Sequence, residues 1–362
     1  MQVISIVPNL PPAIDGVGDY ALNLARQLHK DFGVDTHFII GNPREIEAPK
    51  TEVFSAIQVQ EHSAANLLTI LKNNYQQAST VLLHYVGYGY AKRGCPFWLV
   101  NALEKWRSAN VNCSLVIMFH EVYATGPIWS SSFWLSPLQK NLAMRLSRSS
   151  DRCLTSKQGY AKILRELSAG KQIQIPTLPV FSNIGEPKSV PPLTERSKRL
   201  VIFGSSSNRQ RVYHRSRNAL ECTCQELEIE EILDVGPAMG IDISSINGIP
   251  VVKMGKRTAD EISKIMLNSR AGFFDYHTEY LSKSTIFAAY CAHGLIPIGT
   301  FYSDLQVDGL EVGKHYWLAD RPTGKLTLER GQAIAHQAYA WYQNHNLSAQ
   351  AKLFFTYLSF NS

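Results

Sequence analysis

The chain has 362 residues, 45% of them hydrophobic and 18% charged, with a net charge of +6. That length suits two domains of about 150–200 residues each, and the composition excludes general disorder. The positive charge is scattered, which speaks against nucleic acid as a partner and suits a phosphate-bearing ligand or peripheral contact with an anionic membrane face.

The N-terminal Met-Gln-Val-Ile-Ser-Ile-Val-Pro has no basic leader and reads as a first strand, not a signal peptide. No run reaches the ~18–20 apolar residues that span a bilayer. Cys95, Cys113, Cys153, Cys222, Cys224 and Cys291 are dispersed without zinc-type spacing. Free thiols and a cytoplasmic location, with peripheral contact at the inner membrane face as an option, are the expectation.

Short β-branched runs then alternate with segments of helical period, as in parallel α/β units. Strands are expected at 3–7, 36–40, 81–85, 115–119 and 152–155. Between them Ala21, Leu24, Ala25 and Leu28 share one helical face, as do Leu99, Ala102, Leu103 and Trp106, and Tyr160, Ile163, Leu164 and Leu167. Pro96 and Pro137 are read as first-turn prolines. Residues 187–198 are polar, Pro-rich and without period, and are read as an interdomain linker. A second series follows, with strands expected at 200–203, 231–235, 251–254, 272–274, 295–298 and 316–318. The predicted organisation is an N-terminal Rossmann-like domain at 1–186, the linker, a second Rossmann-like domain at 199–345, and a C-terminal helix within 346–362 that packs on either domain. Two doubly wound α/β domains of this kind place a ligand in a central cleft, facing the carboxyl ends of the strands.

The loop after the first strand carries Asp15-Gly16-Val17-Gly18-Asp19-Tyr20-Ala21. Its GxGxxA lies too far from the strand for a dinucleotide fingerprint, and no acid follows the second strand to hold a ribose. Gly16 and Gly18 instead let backbone approach a ligand just before a helix N-terminus. Two roles are open to Asp19: a helix cap, or a base that orients an acceptor. His120 and Glu121 follow the apolar strand at 115–119, where the chemistry of such sheets resides; one carries a proton or donates to a hydroxyl, the other orients it. His84 and Tyr88, among aromatics and glycines at another strand end, are read as an acceptor-side wall.

In the second series Gly204 closes a strand and Arg209 and Arg211 follow, a diphosphate grip of guanidinium forks. The run from Thr285 to Ala292 is apolar nearly all round and ends at Gly294. It reads as a buried helix with Ser282, Lys283 and Ser284 at its mouth, where hydroxyls, an ammonium and the helix dipole favour phosphate.

Together these pieces resemble the group 1 type glycosyltransferases of the GT-B fold. The likeness rests on the Pro-x-x-Asp-Gly-Val-Gly-Asp-Tyr loop, the strand ending in His120-Glu121, Gly204 with its basic residues, and Ala292-His293-Gly294 followed by Leu295-Ile296-Pro297-Ile298-Gly299. Many retaining members carry two glutamates with seven residues between them, the second five residues before that glycine. Here those places are Leu281 and Ala289. The Lys283-Ser284-x-x-Phe287-Ala288-Ala289-Tyr290 run resembles a divergent bacterial branch.

The resemblance implies hexose transfer from a nucleotide diphosphate sugar to a hydroxyl of a glycan or lipid-linked saccharide, without a cofactor or obligatory metal. Gly16, Gly18, Gly204, Arg209, Arg211, Ser282, Lys283 and Ser284 would serve the donor. Asp19, or His120 with Glu121, would take the acceptor proton, beside His84 and Tyr88. Two alternatives stay open. One is a non-catalytic relative that binds a nucleotide sugar or a partner; the other is a sugar-nucleotide epimerase or dehydrogenase on the same architecture.

Overall fold

The computed structural model describes residues 1–13, 15–42, 54–74, 80–300, 307–321 and 323–359. The chain divides into two compact units: Met1–Pro179 with Leu347–Ser362, and Val180–Asn346.

Unit 1 runs β1 (Gln2–Val7), α1 (Gly16–Phe32), β2 (Asp35–Ile40), β3 (Ala56–Gln58), α2 (Ala64–Asn74), β4 (Thr80–Tyr85), α3 (Gly87–Tyr90), α4 (Phe97–Ala109), β5 (Ser114–Phe119), α5 (Ser131–Ser149), β6 (Arg152–Thr155) and α6 (Gln158–Leu167). The sheet is parallel throughout, in the order β3-β2-β1-β4-β5-β6. All six residues of both β4 and β5 are buried, because helices cover both faces of a parallel sheet.

Helix α1 starts where the Asp15 carboxylate accepts from the backbone N–H of Val17, and stops at Gly33 in the left-handed conformation. The predicted faces turn inward: Ala21, Leu24, Ala25 and Leu28 are buried, as are Leu99, Ala102, Leu103 and Trp106. The two prolines differ from expectation. Pro96 caps α4 from outside. Pro137 lies within α5, which begins at Ser131 behind a Ser130 cap, so the Phe133 carbonyl has no intrahelical donor four residues on.

Unit 2 runs β7 (Ser197–Phe203), α7 (Ser206–Arg215), α8 (Arg217–Glu226), β8 (Glu231–Val235), β9 (Ser245–Ile246), β10 (Ile249–Gly255), α9 (Ala259–Leu267), β11 (Ser269–Phe274), α10 (Thr285–Ala292), β12 (Ile296–Gly299), β13 (Trp317–Leu318) and α11 (Leu328–Gln343). Its sheet order is β13-β12-β11-β7-β8-β10-β9, parallel except for the β9 edge.

Residues 187–198 do not join the units. They lie inside unit 2, whose boundary falls before Val180. Leu193 is fully buried in the unit 2 core. The Arg196 guanidinium, also buried, donates to the carbonyls of Pro191 (Nη2, 2.8 Å) and Ser269 (Nη1, 3.1 Å). Apart from a 3-10 turn at Leu193–Glu195 and the start of β7 at Ser197, order here comes from two plugged side chains, so a polar Pro-rich stretch without period looks like a linker.

The last helix, α12 (Leu347–Leu358), packs on unit 1. Phe355 stacks on Phe32 of α1 at 4.4 Å. The Tyr20 hydroxyl donates to Gln350 Oε1 at 2.6 Å, and Thr80 Oγ1 donates to the Leu358 carbonyl at 3.2 Å. All six cysteines are free. Among the described residues no helix is long and apolar enough to cross a membrane.

Candidate functional site

In unit 1 the strand order reverses direction beside β1, and the neighbouring carboxyl ends of β4 and β5 carry His84 and His120. The two imidazoles meet, His84 Nδ1 to His120 Nε2 at 3.1 Å, so they share one proton. Tyr20 of α1 presents its ring edge-on to both, at 5.0 Å from His120 and 5.9 Å from His84. Its hydroxyl is held by Gln350, which fixes the ring. Burial lowers the His84 pKa to about 3, so this imidazole is neutral. Asp19, in the first turn of α1, is pushed up to about 6, first by burial and then by the Asp15 carboxylate. A carboxyl titrating there suits proton exchange near neutrality.

Gly18 matters for packing. A Cβ there would stand 2.3 Å from the Asn9 carbonyl oxygen, so α1 reaches the preceding loop only because no side chain intervenes. Gly18→Ala is expected to cost about 1–3 kcal/mol and to shift the Asp19 turn. A urea melt with an unchanged midpoint would refute this role.

In unit 2 the corresponding reversal lies between β7 and β11. The loop after β7 begins at Gly204, at φ +133°, where a Cβ would meet Ile286 Cδ1 at 2.6 Å. Ser205 then caps α7 by accepting from the Asn208 backbone N–H. After β11 come Asp275 and Tyr276, and Ser284 caps α10 by accepting from the Phe287 backbone N–H. Asn208, Phe274, Asp275, Tyr276 and Ser284 line one small depression here. The first-turn N–H groups of α7 and α10 bring unsatisfied donors and positive dipole ends, a setting that favours anions. Arg211 adds a half-buried guanidinium that donates to Asn208 Oδ1 at 2.5 Å and lies 3.9 Å from the Asp275 carboxylate. Asp275 is itself buried and accepts from the Ser216 hydroxyl at 2.8 Å.

No protein-family model matches the sequence, and no curated protein matches it. Solved structures do match along nearly the whole chain. WaaG, a glycosyltransferase involved in lipopolysaccharide biosynthesis, is 13% identical with a TM-score of 0.57, over 99% of this chain and 100% of that one. A glycosyltransferase from Rickettsia africae ESF-5 is 12% identical with a TM-score of 0.59, over 99% and 98%. Trehalose-6-phosphate synthase OtsA is 11% identical with a TM-score of 0.62, over 99% of both. The chain has the GT-B fold.

Within this GT-B chain the predicted residues divide. His120, Glu121 and Asp19 stand at strand-end or helix-start positions of unit 1, but the cap of α1 is Asp15, not Asp19. His84 is no wall residue: it is fully buried behind Tyr20 and His120. Tyr88 is exposed, and its hydroxyl accepts from Gln139 Nε2 at 3.2 Å. Gly16 faces open space, whereas Gly18 lies close against the Asn9 carbonyl of the preceding loop.

In unit 2, Ser284 and Arg209 line the depression, Arg211 contacts its lining residues Asn208 and Asp275 from outside, and Gly204 opens the loop that leads to it. Arg209 is no free phosphate grip. It is buried at 1% exposure and spends its donors internally: Nε on the Gly204 carbonyl at 3.0 Å, Nη1 on Asp234, and Nη2 on the Pro237 carbonyl. Ser282 is also occupied, donating to Asp308 Oδ2 at 2.6 Å from a 3-10 turn spanning Thr278–Lys283. Only Ser284 caps α10. Lys283 ends that turn with its ammonium 5.8 Å from the Tyr280 ring centre. Tyr20 and Asp275 went unremarked in sequence. Asp275 was findable, since it follows a predicted strand as His120 does.

Proposed function

We propose that the chain is a glycosyltransferase moving a hexose from a nucleotide diphosphate sugar to an acceptor hydroxyl of a glycan or lipid-linked saccharide, in the cytoplasm and without a metal. The observation that carries the reading is the anion-suited depression at the β7/β11 reversal, set in a GT-B fold. The neighbours add support, since several are described as glycosyltransferases and one, WaaB, as a galactosyltransferase.

Unit 2 holds the diphosphate on the first turns of α7 and α10, with Arg211 and Lys283 offsetting the charge that grows on it. The bond from the sugar's anomeric carbon to the diphosphate oxygen breaks as that carbon bonds to the acceptor oxygen. The diphosphate leaves with the electron pair. Asp19, or His120 with Glu121, takes the acceptor proton. Arg209 acts at one remove by fixing the Gly204 loop.

A second reading is a binder without catalysis. It is favoured by Leu281 and Ala289, buried and apolar where retaining relatives carry glutamates.

The test is a thermal-shift panel of UDP, GDP, ADP, TDP, their sugars and NAD, on the wild type, Lys283→Ala and Arg211→Ala. A ligand at ~100 times its Kd adds about 2.7 kcal/mol. One diphosphate family should stabilise the wild type and lose that effect in both variants. Donor hydrolysis or transfer that persists in EDTA then separates enzyme from binder. A response to NAD alone defeats the proposal.

A further inference from the structure

Helix α5 has two different halves. From Gln139 onward it buries Leu142, Ala143 and Leu146, but none of its earlier residues is buried. That first half and the turn before it instead display Ile128, Trp129, Phe133, Trp134 and Leu138, with Trp129 85% and Trp134 68% exposed. So much apolar surface in one place is unusual on a water-soluble surface.

The display is held firmly. The Ser130 hydroxyl donates to the Pro127 carbonyl at 2.7 Å and accepts from the Phe133 backbone N–H. The Phe133 and Trp134 rings pack edge-to-face at 5.4 Å. Below them the buried Gln139 side chain accepts from the Ala124 N–H at 2.8 Å and donates to the Arg93 carbonyl at 2.9 Å. The loop bearing Lys92 and Arg93 is thereby tied to the aromatic half of α5.

The charge pattern selects the partner. From Val122 to Ser149 every charged residue is basic, namely Lys140, Arg145 and Arg148, and exposed Lys92 and Arg93 stand on the tied loop. The nearby acids are taken: Glu104 pairs with Arg145, and Asp151 with Arg107. Projecting tryptophans beside unopposed cations match a bilayer interface, where indoles sit at headgroup level and cations meet anionic lipid.

We propose that this face of unit 1 is a docking surface for an anionic lipid bilayer, with Trp129 and Trp134 entering the headgroup layer and Lys92, Arg93 and Lys140 meeting its charge. The proposal does not rest on the transfer reaction, and its test contains no nucleotide.

The full chain is sedimented with vesicles of phosphatidylcholine alone and of phosphatidylcholine with phosphatidylglycerol, and tryptophan quenching by brominated lipid is recorded. The wild type should bind the anionic vesicles and be released as salt rises. Trp129→Ser with Trp134→Ser should keep the wild-type circular dichroism and melt yet bind about tenfold more weakly or less, equivalent to about 1.4 kcal/mol. Lys92→Glu with Lys140→Glu should lose the preference for phosphatidylglycerol. Three results overturn the proposal: wild type left in the supernatant with both vesicles, equal binding by the tryptophan variant, or a wild-type dimer that the tryptophan variant dissociates.

Discussion

Between pH 7 and pH 5 the folded chain is expected to lose several kcal/mol of stability. His84, His293 and His345 are buried, and burial lowers their pKa values to about 3, about 4 and about 4. Unfolded histidine titrates near 6.5, so below that pH the unfolded chain takes up protons that the native imidazoles refuse. The sign is therefore fixed: the stability is present above the unfolded pKa and is lost as pH falls. At pH 5 the loss is about 2 kcal/mol for each histidine, because one pKa unit is worth about 1.4 kcal/mol.

His293 shows why protonation is refused. Its Nδ1 lies 2.8 Å from the Ala289 carbonyl and its Nε2 2.9 Å from Ser263 Oγ, so one nitrogen donates and the other accepts. Burial first, and the positive charge of Arg196 beside it, disfavour a second proton, although the bond to the Ala289 carbonyl favours one. Asp19 works the other way: its raised pKa stabilises the native chain as pH falls through about 6, and offsets part of the loss. Urea unfolding at both pH values, followed by circular dichroism, checks the sum. A change under about 1 kcal/mol would mean that these imidazoles are reached by water.

Arg209→Ala is expected to cost about 3–5 kcal/mol. Asp234 is buried at 3% exposure, accepts from the Tyr213 hydroxyl at 2.8 Å, and faces the Arg209 guanidinium. Removing the cation leaves a buried carboxylate with one phenol hydrogen bond and the more distant charge of Lys253, and it also frees the Gly204 and Pro237 carbonyls. Arg209→Lys should fail almost as badly, since an ammonium cannot span three acceptors held in a fork. If the pair is structural, Arg209→Met with Asp234→Leu should recover much of the loss. Denaturation midpoints of the single and double variants decide the matter. No recovery would mean that the loop carbonyls, and not the carboxylate, dominate.

Arg209 also marks where sequence reading stops. A cation just after a strand-ending glycine has the chemistry of a phosphate grip, and nothing local says that Asp234 and the Pro237 carbonyl will consume it. His84 and His120 make the same point from adjacent strands: both are buried and their rings bond to each other, which no local window shows. The strands themselves were legible, because β4 and β5 are apolar along their full length, as burial on both faces requires. The three-residue β3 and two-residue β9 went unread, being too short to hold a period. The supposed linker failed for a related reason. Leu193 and Arg196 fix it through contacts with distant residues, and a local window sees only prolines and polar groups.

The return of α12 to unit 1 affects how the molecule is made. Unit 2 is one unbroken stretch, Val180–Asn346, whereas unit 1 needs residues from both sides of it. On the ribosome the first unit must therefore wait, with the Phe32 ring and Tyr20 hydroxyl of α1 uncovered, while the whole of the second is synthesised and becomes able to close. The order of completion is the reverse of the order of translation, and a nascent chain stalled just short of α12 would offer the bare α1 seam to chaperones and proteases.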